Sequence, residues 1–82
     1  MAKPKKSFST REAARISCVT HRTVDYWAKT KLIVPSIADA NGTGSDRLYN
    51  FDDLMALRVA GALRESGTST QALRKVIAYL RE

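Results

Sequence analysis

Basic and hydroxyl-bearing side chains recur at helical spacing in residues 20–30 of this chain. Stepping 100° per residue gathers Arg22, Asp25, Tyr26 and Lys29 on one side of a helix, opposite an apolar stripe. Guanidinium, ammonium and phenol groups donate hydrogen bonds to phosphate oxygens, and a guanidinium also contacts the edges of bases. This face therefore predicts non-covalent recognition of a polyanion by an exposed helix.

The net charge favours the same chemistry. The chain has 82 residues, with 14 lysines and arginines against 8 aspartates and glutamates, which leaves a charge of +6. A positive field of this size on a small surface attracts nucleic acid. An anionic membrane would respond to the same charge, but the basic residues are interleaved with acids and no long apolar face accompanies them. Nucleic acid is therefore the predicted partner, and a membrane is not.

Several other chemistries are disfavoured by composition. Cys18 and His21 are the single cysteine and the single histidine, so neither an intramolecular disulfide nor a structural zinc site is predicted. We expect Cys18 to be buried in a turn as a small apolar residue, in a protein of the reducing cytoplasm. No nucleophile, base and orienting group form a recognisable set, so we predict no enzyme, no cofactor and no metal. The basic residues 1–7 lack the apolar run of a signal peptide and predict a disordered arm.

Capping signals predict two short helices in the first part of the chain. Ser9 and Glu12 form a capping box for a helix that ends near Ser17, and Thr20 can cap a second helix to about Thr30. The apolar positions of the second helix recur three and four apart and are assigned to the core: Val24, Trp27 and Ala28. Two such helices, the second with a polar outer face, are typical of a helix-turn-helix unit.

A β-hairpin is predicted after this unit. The β-branched residues and the proline of 32–37 indicate a short edge strand, and a glycine-containing turn precedes a second extended run, 47–49. A hairpin in this position is called a wing, and we assign it to residues 36–49.

Two further helices are predicted beyond the wing. Asn50 can cap a third helix from Phe51 to about Ser66, and a capping box from Thr68 to Gln71 can open a fourth. The fourth helix has an apolar stripe within residues 73–80, formed by Leu73, Val76, Ile77 and Leu80. Such a stripe needs a partner, either in this core or on another chain.

The candidate contact residues lie mainly on the second helix and the wing. Arg47 lies at the wing base, where a DNA backbone would pass, and the glycines of 41–45 suit a close approach of backbones. Asp25 precedes Lys29 by four residues, which favours a helical salt bridge, or an orienting role, over acceptance from a cytosine amino group. His21, at the start of the second helix, is equally consistent with contact to a base or phosphate and with simple exposure to solvent. The candidate DNA-contacting residues are Thr20, His21, Arg22, Tyr26, Lys29, Arg47, Arg15 and Thr43.

Residues 8–77 resemble the DNA-binding domain of the MerR family of transcriptional regulators. The resemblance rests on Phe8-Ser9 with Glu12 and Ala14, Thr23-Val24 with Tyr26-Trp27, Leu32-Ile33 with Pro35, Arg47-Leu48-Tyr49, Asp53-Leu54, Leu57, Leu63-Arg64, Gly67 and Ser69. It implies a mainly α fold, a winged helix-turn-helix of about four helices with a two-stranded β-hairpin wing. It also implies that a recognition helix at about 20–30 enters the major groove, with the wing on adjacent backbone or minor groove.

Four positions depart from the family pattern. Asp25 stands where the family usually has arginine, and Cys18, Lys31 and Asp46 stand where it often has glycine. The DNA sequence preference is therefore expected to be atypical. The chain also stops at Glu82, without the family's long dimerisation helix and effector domain. We interpret it either as a segment of a longer protein or as a small stand-alone relative.

The sequence thus predicts a basic arm, 1–7, and a MerR-like DNA-binding domain, 8–82, of a bacterial transcriptional regulator associated with the nucleoid. The predicted partners are double-stranded DNA and a second copy of the chain, as a dimer or head-to-tail on DNA. No small-molecule effector is expected in this segment. The alternative is a protein-interaction module, such as an antitoxin-like or excisionase-like factor, that binds its partner through the 73–80 stripe.

Overall fold

A computed structural model describes residues 7–38 and 47–81 of the chain. The elements within these ranges are β1 (Phe8–Ser9), α1 (Thr10–Ser17), α2 (His21–Lys29), β2 (Leu48–Tyr49), α3 (Phe51–Glu65) and α4 (Thr70–Leu80). The predicted mainly α fold of four helices with a two-stranded antiparallel sheet is confirmed. Most of the predicted basic arm and the tip of the wing, including Thr43, lie outside the described residues.

Side-chain caps start the first three helices where the sequence predicts them. The Ser9 hydroxyl accepts a hydrogen bond from the Glu12 amide at 3.2 Å, and the Glu12 carboxylate accepts one from the Ser9 amide at 3.0 Å. Thr20 caps α2, and Asn50 forms a capping box with Asp53 at the start of α3. These bonds pair amides that the first turn of a helix leaves without backbone partners.

The fourth helix begins one residue later than its predicted cap. Ser69, not Thr68, accepts from the Ala72 amide, at 3.2 Å. Thr68 is still engaged in ending α3, because its amide donates to the Leu63 carbonyl at 3.0 Å while Gly67 has a φ of +92°. This is the Schellman arrangement, in which a glycine in the left-handed region closes a helix.

The prediction of a strand in residues 32–37 is wrong. β2 pairs with β1, Phe8 opposite Tyr49 and Ser9 opposite Leu48, and the wing is closed at its base by one bridge between Ala38 and Leu48. The amides of residues 32 and 33 donate instead to the Trp27 carbonyl and complete the end of α2. The side chains of Leu32 and Ile33 are buried in the core rather than placed in a sheet.

The core lies where α1, α2, α3 and α4 meet. Its buried residues are Ala13, Ala14, Val24, Trp27, Leu32, Ile33, Tyr49, Leu54, Ala56, Leu57, Ala60, Leu73 and Ile77. The apolar stripe predicted for α2 is confirmed, Trp27 included. On α4 the stripe is divided, because Leu73 and Ile77 are buried whereas Val76 and Leu80 remain 37% and 52% exposed.

Two residues other than glycine adopt the left-handed backbone conformation. Cys18 has a φ of 60° and Lys31 a φ of 66°. Both stand at positions where the family resemblance implies glycine, which enters this region without a steric cost. Cys18 is exposed, so its predicted burial is wrong. It is the C-cap of α1, and the next residue, Val19, packs against the core instead.

Replacing Cys18 by glycine is therefore expected to stabilise the domain. A side chain in the left-handed region costs roughly 1 kcal/mol, part of which is offset by the greater freedom of glycine in the unfolded chain. We expect a gain of about 0.5 kcal/mol, visible as a rise of about 3 °C in thermal unfolding followed by circular dichroism. Cys18→Ala keeps a Cβ and should gain little. Equal midpoints for the glycine and alanine variants would contradict this explanation.

Candidate nucleic-acid interface

The outer face of α2 presents four of the predicted contact residues to solvent. His21, Arg22, Tyr26 and Lys29 are all exposed, with Tyr26 at 59%. The opposite side of the helix is buried in the core through Val24, Trp27 and Ala28. The helix is thus anchored on one side while its other side carries hydrogen-bond donors, which is the geometry that groove recognition requires.

Two further predicted residues lie in and beside the turn between α1 and α2. The Thr20 hydroxyl accepts from the Thr23 amide at 3.2 Å and donates to the Thr23 hydroxyl at 2.8 Å. Thr20 therefore caps the start of α2. Arg15 is exposed in the last turn of α1.

Asp25 holds two cations at the middle of this face. Its carboxylate lies 3.0 Å from the Lys29 ammonium, which confirms the predicted helical salt bridge, and it also accepts a hydrogen bond from the Arg47 guanidinium. The hydrogen bond from Lys29 and the charges of Lys29 and Arg47 hold the pKa of Asp25 below its ordinary value. Asp25 is therefore ionised at neutral pH, between two positive charges.

The Arg47 side chain lies against α2, with 15% of its surface exposed. The residue directly precedes β2, at the base of the wing. The sequence indicated a cation at this position but not its partner, because Asp25 and Arg47 are 22 residues apart and no local spacing connects them. The ion pair joins the base of the wing to α2.

Two arginines that were not among the candidates also approach α2. Arg64, in the last turn of α3, donates to the Thr23 hydroxyl at 2.9 Å, and Arg74 donates to the Thr30 carbonyl at 3.0 Å. Arg64 and Arg22 line an open cleft of about 390 Å³ between α2 and the start of α4. The sequence placed Arg64 on a helix, but only the packing of α3 against the helix-turn-helix brings it to this face.

The described ranges show neither a metal cluster nor a membrane helix. No group of three or more histidine, cysteine, aspartate or glutamate side chains in 7–38 and 47–81 is arranged to hold a metal ion. Nor is any described helix long and apolar enough to cross a membrane.

Comparisons with known proteins agree on one family. The family model described as MerR HTH family regulatory protein matches residues 8–80. Uncharacterized HTH-type transcriptional regulators of Mycobacterium bovis and Mycobacterium tuberculosis are 43% identical over 70 residues, which cover 85% of this chain and 31% of each relative. The chain thus spans about a third of the length of these relatives, which are described as regulators rather than as enzymes.

A solved structure shows the same fold. The crystal structure of a MerR-family transcriptional regulator from Bacillus cereus aligns with a TM-score of 0.72 at 29% sequence identity. The alignment covers 88% of this chain and 52% of that chain.

Proposed function

The chain belongs to the MerR family of helix-turn-helix regulatory proteins, and from this premise we propose that it binds double-stranded DNA sequence-specifically as the DNA-binding domain of a transcriptional regulator. In this proposal α2 enters the major groove, and the wing lies on adjacent backbone or minor groove. The contacts come from Thr20, His21, Arg22, Tyr26, Lys29, Arg47, Arg15 and Thr43.

The observation that carries the proposal is that one side of α2 is buried in the core while the other side exposes side chains that donate hydrogen bonds. Arg22 and Tyr26 are both exposed on a helix whose other side is fully packed, so their positions are set by the core. A guanidinium and a phenol four residues apart can reach two successive groups along a groove. Arg64 and Arg74, packed against the same helix, add positive charge beside it.

Dimerisation is part of the same proposal. A monomer of this size contacts few bases, so useful specificity requires two copies on the DNA, as a symmetric dimer or as head-to-tail neighbours. The longer relatives have room for dimerisation and effector segments outside the region that this chain matches. We propose that such a regulator works on the bacterial nucleoid and that effectors act outside this segment.

The protein-interaction alternative is not favoured, because its binding surface is partly buried. Leu73 and Ile77, half of the 73–80 stripe, are in the core of the domain. Val76 and Leu80 remain exposed, but a partner docking on them would meet a narrower apolar surface than the sequence suggested.

A salt titration of DNA binding tests the proposal. Duplexes from the genomic sequence beside the coding region are titrated with the protein at several salt concentrations, and log K is plotted against log salt. Neutralisation of three or more phosphates gives a slope of about −3 or steeper. A Leu80→Ala variant should bind as the wild type does. Absence of binding at low salt would contradict the proposal, and so would a slope near zero.

A further inference from the structure

Asp25 is the one acidic side chain in α2. It lies on the face of the helix that contacts DNA in the proposed function. A carboxylate directed at a phosphate backbone is repelled, which makes an acid an unfavourable choice for a simple contact residue. The spacing in the sequence is compatible with a salt bridge to Lys29, with an orienting role and with acceptance from a cytosine amino group. The structure adds an ion pair between Asp25 and Arg47.

The geometry divides the carboxylate between two cations on different elements. One oxygen, Oδ2, lies 3.0 Å from Lys29 Nζ, one turn further along α2, and the other, Oδ1, accepts from Arg47 Nη1 at the wing base. The Lys29 side chain is 66% exposed, whereas the Arg47 side chain is withdrawn to 15%. Arg47 is therefore packed against the recognition helix while it makes this bond.

The ion pair connects the recognition helix to the only regular strand of the described wing base. Arg47 is followed by β2, whose Leu48 exchanges backbone hydrogen bonds with Ala38 and pairs with Ser9 of β1. A shift of Arg47 would therefore displace the strand that carries the wing. The carboxylate thus sets where the wing begins relative to α2.

We propose that Asp25 is a specificity-determining positioning residue. It restrains Arg47 and Lys29 between α2 and the wing, so that these two cations do not pair with phosphates of any DNA regardless of its sequence. This inference rests on the proposed function. Non-specific affinity comes from cations that pair with phosphates regardless of sequence. Restraining two of them lowers non-specific binding, whereas a correct site that fits the fixed wing loses less, and specificity is the difference between the two affinities.

The test compares Asp25→Asn with Asp52→Asn in the full chain. Both substitutions raise the net charge by one unit, but Asp52 is exposed in the first turn of α3, on a different element. Each protein is titrated, over a range of salt, with a duplex selected from a random pool by the wild type and with a scrambled duplex. Circular dichroism checks that each variant is folded.

The expected result is a selective gain in non-specific binding. Asp25→Asn should bind the scrambled duplex about tenfold more tightly, with a salt slope steeper by about 0.9 for each cation released, one or two in all. Its ratio of selected to scrambled affinity should fall by about fivefold, since the selected duplex gains less. Asp52→Asn should leave both the slope and the ratio close to those of the wild type. In an Arg47→Ala background, Asp25→Asn should steepen the slope by about 0.9 less, because the share that comes from Arg47 is then absent.

Other outcomes overturn the inference. Equal slopes and ratios for Asp25→Asn and Asp52→Asn show that charge alone matters. Loss of affinity confined to duplexes with cytosine at one position, and additive with Arg47→Ala, identifies Asp25 as a direct base contact instead. Failure of the wild type to enrich or bind any duplex is a failure of the proposed function. The Asp25–Arg47 bridge itself is then still measurable without DNA, as a coupling energy in a double-mutant cycle of thermal unfolding.

Discussion

Replacing Asp53 by alanine is expected to remove a large share of the stability of the domain. The Asp53 side chain is fully buried, and its two carboxylate oxygens accept from the Ser36 amide at 2.8 Å, the Ser36 hydroxyl at 2.6 Å and the Asn50 amide at 2.9 Å. The Arg81 guanidinium forms a salt bridge with it at 2.6 Å. One carboxylate thus joins the start of the wing, the start of α3 and the end of α4.

The size of the effect follows from what the substitution leaves behind. The alanine variant removes the acceptor of the Ser36 and Asn50 hydrogen bonds and of the Arg81 ion pair, and the loss of these part-buried, charge-assisted bonds costs roughly 2–4 kcal/mol. Small domains are stable by only about 5–15 kcal/mol in total, so the variant should lose a large share of its stability and unfold at a clearly lower temperature. Urea and thermal unfolding, followed by circular dichroism, measure the change. Asp52→Ala, at the exposed neighbouring position, should cost less than about 1 kcal/mol. Similar losses at the two positions would contradict this role for Asp53.

The dependence of stability on pH provides a second measurement on the same residue. Burial raises the pKa of Asp53, but hydrogen bonds from Ser36, Asn50 and Arg81 outweigh it and leave the pKa below the ordinary value of 3.8. The folded state therefore binds the proton less readily than the unfolded chain does. The stability that ionised Asp53 contributes is fully present above its pKa in the unfolded chain. It is lost as the pH falls from about 4 through the lower pKa of Asp53 in the folded state. An Asp53→Asn variant should lose this part of the acid dependence.

The largest functional effect is expected from the double variant Arg22→Ala and Tyr26→Ala. Each side chain is exposed on the outer face of α2, and a hydrogen bond to a charged phosphate contributes about 1.5 kcal/mol. Loss of both should therefore weaken duplex binding by about 100-fold at low salt. Because only Arg22 is charged, Arg22→Ala alone should reduce the salt slope by about 0.9, whereas Tyr26→Ala alone should weaken binding without changing the slope.

Lys75 provides the matched control for this experiment. It is exposed on α4, about 200° around the helix from the buried Leu73, so Lys75→Ala removes one positive charge on a surface directed away from the core. It should change affinity by less than about threefold. If the double variant binds as tightly as Lys75→Ala does, α2 is not the recognition helix.

Structure determined by neighbours within about one helical turn was predictable. The hydroxyl caps at Ser9 and Thr20, the capping box at Asn50 and the salt bridge from Asp25 to Lys29 all join residues three or four positions apart. Spacing alone specifies such interactions, because the helix brings these positions together wherever it lies in the fold. The core stripe of α2 was predictable for the same reason.

The predictions from sequence were wrong or incomplete where one local pattern is compatible with two different tertiary arrangements. An apolar β-branched segment can pair in a sheet or fill a core, and Leu32 and Ile33 do the second because their amides are used to end α2. The stripe on α4 was correctly periodic, but the width of the core decided that Leu73 and Ile77 are covered while Leu80 is not. The sequence predicted a cap at Thr68, but its amide is used in the Schellman turn at Gly67, and Ser69 caps α4 instead.

The sequence by itself therefore determined the family, the helices and the polar face of α2, because these depend on residue types and short spacings. Only the tertiary structure decided that Asp25 pairs with Arg47 and that Asp53 joins Ser36 to Arg81. Those partners are 17 to 28 residues from the two acids, and the first pair links α2 to the base of the wing. The free energy of such a contact is gained only after the chain between the partners has been ordered, so no local pattern specifies it.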